Sequence, residues 1–186
     1  MLNPGLRTSR LDLVSLQAEF YESMLAGRRV RAEGLLGVPI APGWEAGREG
    51  FMALRLQQIR RDPTCQEWIG RALILRGPEP LMIGHCGFHG PPSAAGVVEI
   101  GYGMLPPYWG RGLGTECARR LIEWAHEERG VRRFRASVSP GNQPSLRIVA
   151  KLGLVRIGVQ WDPEDGEEIV HELEADNGLP WKLPRS

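Results

Sequence analysis

The sequence predicts an α+β protein with a mixed, mostly antiparallel sheet. Three strand-like runs, at residues 67–75, 81–88 and 97–105, are separated by the turn-forming segments GPEP and GPPSAAG, which favours an antiparallel meander. Residues 97–139 then pass from a strand through a helical pattern to a second strand, which predicts a parallel pair joined by a right-handed crossover. Two runs within 155–174 predict a closing hairpin.

The N-terminal third supplies one strand and three helices. Alternating leucines predict a strand over residues 9–16, and apolar residues on one side predict a helix over 17–26. A short helix over 31–36 and a helix over 48–61, ended by Asp-Pro, flank a Pro/Gly-rich loop at 37–47. We expect the helices and the loop over residues 17–61 to form a binding pocket.

The C-terminal half alternates helices and strands. Ala118, Leu121, Ile122 and Ala125 fall at helical spacing after a glycine-rich loop. A strand is predicted over 132–139, and the segment NQPSLRIVAKLG predicts a helix that stops at Gly153. The final hairpin comprises strands over 155–161 and 168–174 around the turn DPEDGEE.

Composition limits the class of protein. A chain of 186 residues with 42% hydrophobic residues predicts a single domain over 1–186. A net charge of +1 argues against nucleic-acid binding, and the absence of a long apolar run argues against membrane insertion. Three cysteines without metal-like spacing and an N-terminus without an apolar signal segment lead us to expect a cytoplasmic protein with no metal.

The loop YWGRGLGTE has glycines at positions 110, 112 and 114 just before a helix. Glycines let a ligand approach backbone N–H groups closely, and a helix N-terminus favours a phosphate or pyrophosphate. For the glycine triplet taken alone, a tight turn with close helix packing is the favoured explanation. A nucleotide P-loop is disfavoured because no Gly-Lys-Ser/Thr follows, and a dinucleotide fold because the next strand lacks a terminal acid.

Two blocks at matching spacing resemble the GNAT acetyltransferase superfamily, and within it the Rim type, which acetylates ribosomal-protein N-termini. The pattern Q/R-x-x-G-x-G/A falls on residues 109–114, with Trp109 in the first position. The pattern N-x-x-S followed by K-L-G-F falls on Asn142, Ser145 and KLGL at 151–154. The opening LRTSRLDLVSL also resembles the first strand of this type.

The resemblance implies a GNAT fold with splayed parallel strands and acetyl-CoA as cosubstrate. The pantetheine arm is then expected between residues 97–105 and 132–139, along Met104 and Leu105. The residues expected to bind coenzyme A are Met104, Leu105, Trp109, Gly110, Arg111, Gly112, Leu113, Gly114, Thr115 and Asn142.

Two residues are candidates for the chemistry of acetyl transfer. Glu99 is the expected general base, since an alkylamine near pKa ~10 must lose a proton before it attacks. Its alternative is an exposed strand carboxylate or a salt-bridge partner. Ser145 is the expected hydroxyl near the thioester sulfur, with a helix cap as its alternative. Val149 stands where many relatives carry a tyrosine acid.

Other reactive side chains are expected to be structural. Tyr102, Cys86 and Cys117 lie in apolar patterns that predict the core, and His85 and His89 flank a turn. Trp44 is either an acceptor-side wall or a packing anchor, with packing favoured.

The sequence therefore predicts an N-acetyltransferase acting on a primary amine, either a protein N-terminus or a small molecule. A non-catalytic acyl-CoA sensor is the alternative from another class, and a nucleotide-binding domain is a weaker one. Exposed strand edges are compatible with a homodimer.

Overall fold

The computed structural model describes residues 5–163 and 166–182, and within them eight strands form one mixed sheet. The strands are β1 (Leu6–Arg7), β2 (Leu11–Ser15), β3 (Arg71–Leu75), β4 (Leu81–Phe88), β5 (Val97–Met104), β6 (Arg133–Val138), β7 (Val155–Asp162) and β8 (Gly166–Glu174). The helices are α1 (Ala18–Leu25), α2 (Arg29–Leu36), α3 (Glu49–Arg61), α4 (Leu113–Arg129) and α5 (Gln143–Lys151). The strand order is β1-β2-β3-β4-β5-β6-β8-β7.

The sheet confirms the predicted α+β fold class. Strands β1 to β5 form an antiparallel meander, and β5 and β6 run parallel. The final hairpin is also present, with β8 inserted between β6 and β7. Its turn includes residues 164–165, which lie outside the described residues.

One predicted boundary is wrong. The strand expected over 67–75 begins only at Arg71, because Pro63–Glu67 forms a 3-10 helix. The Asp62 side chain accepts a hydrogen bond from the amide of Thr64 at 2.9 Å and so caps this turn. The two-residue strand β1 was not expected, since so short a segment shows no period.

Helices cover both faces of the sheet. On one face, the Trp124 ring of α4 packs against Trp68 at a centroid distance of 5.1 Å and against Phe88 at 6.3 Å. On the other face, Trp44 lies between Phe20 of α1, at 6.0 Å, and His85 of β4, at 5.9 Å. Trp44 is fully buried, as a packing anchor should be.

The thiols lie in the core. Cys86 and Cys117, which were expected in the core, are buried and free of disulfides, and so is Cys65, for which no position was predicted.

A buried carboxylate ties β6 to β8. Glu172 on β8 has a side chain only 8% exposed, and it binds Arg135 at 2.6 Å and Arg133 at 3.1 Å. Because β6 is the partner of β5 in the parallel pair, this cluster holds the strand that borders the candidate site.

We expect Glu172→Gln to lower the free energy of unfolding by about 1–3 kcal/mol, since it weakens charge-assisted hydrogen bonds to two arginines. Urea denaturation measures this. Glu174→Gln is the matched control, because Glu174 is 66% exposed on the same strand and its ion pair with Arg133 is at 3.7 Å. If both variants lose the same free energy of unfolding, the burial of the Glu172 carboxylate does not explain its contribution to stability.

Candidate functional site

The loop before α4 exposes backbone donors. Gly110 and Gly112 have φ angles of 71° and 77°, in the left-handed region that favours glycine. The first amide to bond at this end is that of Glu116, which donates to the carbonyl of Gly112 at 3.1 Å. The amides of the three preceding residues, Leu113, Gly114 and Thr115, have no backbone partner in the described chain. Together with the helix dipole, they form a site suited to an anion.

Gly114 serves a different purpose from the other two glycines. A Cβ atom there would lie 2.7 Å from Cδ1 of Ile148 and 3.7 Å from Cε of Met104. Gly114 therefore lets α5 pack closely on α4. The glycine triplet combines the two alternatives that the sequence left open: loop conformation at two positions and helix packing at the third.

An ion pair holds this loop against the start of the sheet. Arg10, in the β1–β2 turn, donates from Nε to Glu116 at 2.7 Å and from Nη1 to the carbonyl of Arg111 at 2.9 Å. Ser9 and Thr8 also donate to the Glu116 carboxylate. Burial alone would raise the pKa of Glu116, but the hydrogen bonds from Thr8, Arg10 and Ser9 outweigh it and lower that pKa below its ordinary value.

The parallel strands separate just upstream of the loop. The β5–β6 register pairs Val97–Glu99 with Arg133–Arg135 and ends there, although β5 continues to Met104. The amide of Leu105 donates to Ile83 at 3.1 Å, so backbone groups at odd positions of β5 face β4. The backbone groups of Tyr102 and Met104 therefore face the gap beside β6.

Met104 and Leu105 differ in what their backbones offer. The Leu105 carbonyl accepts from the amide of Tyr108 at 3.0 Å, so both of its backbone groups are already bonded. The Met104 carbonyl accepts from Nε1 of Trp109 at 2.7 Å, while its amide faces the gap. An extended ligand in the gap would thus find backbone partners on Tyr102 and Met104, and only the side chain of Leu105.

Glu99 lies on one face of β5 with two histidines. Its side chain is 23% exposed, and Oε1 lies 3.9 Å from Nδ1 of His89. A Cβ at Gly101 would lie 3.2 Å from His89, and one at Gly103 would lie 3.1 Å from His85. The two glycines therefore let the imidazoles lie against the strand. The sequence analysis did not identify this role of Gly101 and Gly103, although both glycines follow Glu99 at alternate positions in the segment EIGYG.

Ser145 lies near the opposite face, beside Tyr102. Asn142 accepts a hydrogen bond from the amide of Ser145 at 3.2 Å, so Asn142 caps α5. Burial raises the pKa of Tyr102 to about 12, against a hydrogen bond with Ser145 that lowers it. Tyr102 was expected to be only a core residue; it is half-buried and reaches the candidate hydroxyl. Val149 is fully buried, so the position that carries tyrosine in many relatives is a core position here.

The two catalytic candidates thus lie on opposite sides of β5. Residues three apart on a strand point to opposite faces, which places Glu99 on one side and the Tyr102–Ser145 pair on the other. The gap beside β6 lies between the two faces. A reacting group held in it could meet both.

Comparison with known proteins identifies the family. Residues 18–155 match the family model of the acetyltransferase (GNAT) domain, so the chain belongs to this family. The chain is similar to N-acetyltransferase p20 of Bacillus licheniformis, with 32% identity over 107 residues that make up 58% of this chain and 60% of that one. The match thus spans less than two thirds of the relative's length.

Solved structures share the fold. The ribosomal-protein-S5-alanine acetyltransferase of Vibrio fischeri has a TM-score of 0.64 at 15% identity, over 94% of this chain and 98% of that one. The microcin C7 self-immunity acetyltransferase MccE, solved with acetyl-CoA and AMP, has a TM-score of 0.61 at 14% identity, over 93% and 98%. These comparisons confirm the predicted GNAT fold.

Neither a membrane-spanning helix nor a cluster of metal ligands is found among the described residues. No helix within 5–163 and 166–182 is long and apolar enough to cross a membrane. In the same ranges, no group of three or more His, Cys, Asp or Glu side chains is placed to hold a metal ion.

We expect Glu116→Gln to destabilise the fold by about 1–3 kcal/mol at pH 7, because the β1–β2 turn loses a charged acceptor. The folded pKa lies below the unfolded value of about 4.3, so the contribution is present above that pH and is lost as the pH falls through the folded pKa. Denaturation at pH 7 and at pH 3 measures the difference, which should shrink at pH 3.

The matched control is Glu127→Gln on the same helix, where the carboxylate is 45% exposed and pairs with the exposed Lys182. Its effect should stay within about 0.5 kcal/mol. A difference for Glu116→Gln that is the same at both pH values would contradict the electrostatic explanation.

Proposed function

We propose that the protein is an acetyl-CoA-dependent N-acetyltransferase that moves an acetyl group directly to a primary amine. One observation carries this proposal: the anion site at the start of α4, the gap beside β6 and Glu99 are all reached along β5 and the loop that follows it. Membership of the acetyltransferase family supports it, as does the acetyl-CoA bound to MccE.

The donor would be held by the loop and the gap. The backbone amides at the start of α4 would hold the pyrophosphate, and Arg111, whose guanidinium lies 5.9 Å from the Tyr108 ring, would add positive charge. The free backbone groups of Tyr102 and Met104 would pair with the amides of the pantetheine arm. When bound, acetyl-CoA supplies the acetyl group as a thioester.

Glu99 is the proposed base of the reaction. It would take a proton from the acceptor ammonium, directly or through water, because an alkylamine of pKa about 10 is mostly protonated at neutral pH. Nδ1 of His89 lies 3.9 Å from this carboxylate on the same face of the sheet.

Ser145 and Tyr102 would supply the proton for the departing thiol. With a pKa of about 12, Tyr102 keeps its proton at neutral pH and can pass it through the Ser145 hydroxyl. The absence of a reactive thiol among the described residues supports direct transfer, since the three cysteines are buried. A hydrogen bond with Cys86, together with burial, raises the pKa of Cys117.

The acceptor is a protein N-terminus or a small amine. The Rim-type resemblance and the Vibrio fischeri neighbour, named for ribosomal protein S5 alanine, favour a protein N-terminus. We also propose a cytoplasmic protein of a single domain over 1–186 that binds neither nucleic acid nor membrane. Exposed apolar side chains on edge strand β7 support a homodimer; they are Val155, Ile157, Val159 and Trp161.

An acyl-CoA-binding sensor without turnover is the alternative, because Val149 replaces the tyrosine acid of many relatives. Thiol release from acetyl-CoA, assayed against a panel of amines and peptides, separates the two. Release that depends on an amine supports the enzyme; calorimetric binding of CoA with no release for any amine supports the sensor.

We expect Gly112→Val to raise the dissociation constant for CoA at least tenfold, because a β-branched residue at φ 77° distorts the loop that presents the amides. Calorimetry measures it. Gly130→Val is the matched control: Gly130 ends the same helix at φ 69° with nothing within 4 Å of an added Cβ, so it bears similar backbone strain far from the loop. If the two variants bind CoA with equal affinity, the loop takes no part in binding the donor.

We expect Glu99→Gln to lower turnover at pH 7 by roughly 10²- to 10⁴-fold, and we expect the activity to recover as the pH rises above the pKa of the acceptor amine, where the amine is already neutral. The pH profile of kcat/KM measures this, with the dissociation constant for CoA as a control that should not change. A loss of the same size at every pH would contradict a role as base.

A further inference from the structure

The face of β4 and β5 that carries Glu99 also holds a buried arginine that has no carboxylate partner among the described residues. Arg55 on α3 is 9% exposed. Its Nη1 donates to Oε1 of Gln58 at 2.8 Å and to the carbonyl of His89 at 3.2 Å. Its Nε has no hydrogen-bond partner among the described residues, and no ion pair forms there. Burying a charge without an opposite charge beside it is unfavourable.

A second buried arginine differs from Arg55 in its charged neighbours. Arg71, on the other face, is 4% exposed, lies 4.9 Å from the Trp124 ring, and also has an Nε without a hydrogen-bond partner among the described residues. Burial lowers the pKa of Arg71, and Cys86 and the carboxylates of Glu67 and Glu128 act against it. For Arg55, whose Cζ lies 5.2 Å from the Phe51 ring, the groups that act against burial are Tyr21 and Cys65, which are neutral at physiological pH. Arg55 therefore has no carboxylate among the groups that favour its charge.

A second cation lies close by. Arg48 donates from Nη1 to the carbonyl oxygens of Trp44, at 2.6 Å, and Ala46, at 3.2 Å. It forms no ion pair within the described residues either, and its Cζ lies 5.9 Å from the Trp44 ring. Two positive charges thus flank the aromatic wall of this face.

Both cations act on His85. Burial, followed by Arg48 and Arg55, lowers the pKa of His85 to about 3, so its imidazole is neutral at physiological pH. The ring lies 4.4 Å from Phe51, and its buried Nδ1 has no partner among the described residues. This neutral histidine with an unused nitrogen, between two unpaired arginines, is chemically suited to an anionic group.

Carboxylates lie near the neighbouring histidine, His89. Burial keeps the pKa of His89 below its ordinary value, and Arg55, which donates to the His89 carbonyl, acts in the same direction; Glu99, 3.9 Å away, and Glu168 and Asp162 of the β7–β8 hairpin act against them. The face therefore carries both signs of charge, with Glu99 beside His89 and with Arg55 and Arg48 acting on His85. A zwitterion placed along this face could pair its ammonium with Glu99 and its carboxylate with the arginines.

We propose that the acceptor is an amino carboxylate: its reacting amine is accompanied by a carboxylate that binds at Arg55 and Arg48. This inference rests on the proposed function. The carboxylate can belong to a free amino acid or to an acidic side chain near a peptide N-terminus, and both present the same chemistry to the arginines.

The experiment compares acceptors that differ only in the carboxylate. Free L-amino acids are assayed beside their C-terminal amides, and peptides with Asp as the second residue beside peptides with Asn. In one of the two sets, we expect kcat/KM to be roughly 10- to 100-fold higher for the acceptor with the carboxylate than for its uncharged counterpart, as is typical of a charge-assisted contact. Preference in the first set identifies a free amino acid, and preference in the second identifies an acidic peptide.

Arginine variants test whether the preference comes from this face. Arg55→Gln and Arg48→Gln should each lower kcat/KM for the carboxylate acceptor about tenfold or more while leaving the amide or Asn counterpart nearly unchanged. Calorimetric titration of the preferred acceptor into the CoA-loaded protein should show weaker binding in the same variants, with unchanged affinity for CoA. Arg71→Gln is the control: it should lower stability without changing the preference.

The outcomes separate this inference from the function on which it rests. If no amine of any kind releases thiol, the proposed function fails. If amines are acetylated but carboxylate and amide acceptors react equally, or if the preference survives in both arginine variants, the inference is overturned and the acetyltransferase stands. If Arg55→Gln does not fold, the kcat/KM values of Arg48→Gln and the calorimetric titration of this variant with the preferred acceptor still test the inference.

Discussion

The early end of the β5–β6 ladder is the constraint on which the candidate site depends. Two parallel strands pair over three residues and then separate, while β5 continues against β4 alone. Backbone N–H and C=O groups are strong and nearly obligatory hydrogen-bonding groups, so a strand edge inside a sheet needs other partners. Trp109 supplies one of them, to the Met104 carbonyl. The remaining groups form an edge on which an extended ligand can bind as a missing strand would.

The loop after β5 converts this edge into a site with a definite end. Two glycines turn the chain so that the first amides of α4 remain free, and a third brings α5 close. The Arg10–Glu116 pair then fixes the loop to the β1–β2 turn, more than 100 residues away in sequence. Loop conformation, helix packing and an ion pair thus act together, and each depends on elements from different parts of the chain.

Charge is distributed unevenly around the gap, although the chain as a whole is nearly neutral. Compensated pairs such as Arg135–Glu172 stabilise the sheet, whereas Arg55 and Arg48 remain unpaired among the described residues. A protein tolerates such an imbalance where the charge has a use, and strongly perturbed groups collect at functional sites for this reason. The net charge argued against a nucleic-acid partner but could not reveal this local distribution of charge.

The sequence was sufficient to predict most elements of the fold, because hydrophobic periodicity, turn residues and helix caps act within a few positions. The meander, the crossover helix, the capped helix at Asn142 and the final hairpin were all predicted. It also indicated the anion loop and Glu99, since glycine spacing and the EIGY segment are local patterns. These residues remain predictions as a catalytic and binding set.

Features that depend on long-range contacts became visible only in the folded protein. The gap exists because β5 and β6, whose paired residues are 36 positions apart in the chain, diverge, and no local sequence pattern indicates divergence. Tyr102 was expected in the core because alternation alone cannot show that α5 brings Ser145 to its hydroxyl. Likewise, whether an arginine has a partner depends on which helices pack against the sheet. Arg55 appears in the sequence as one charge among many, and burial makes it distinctive.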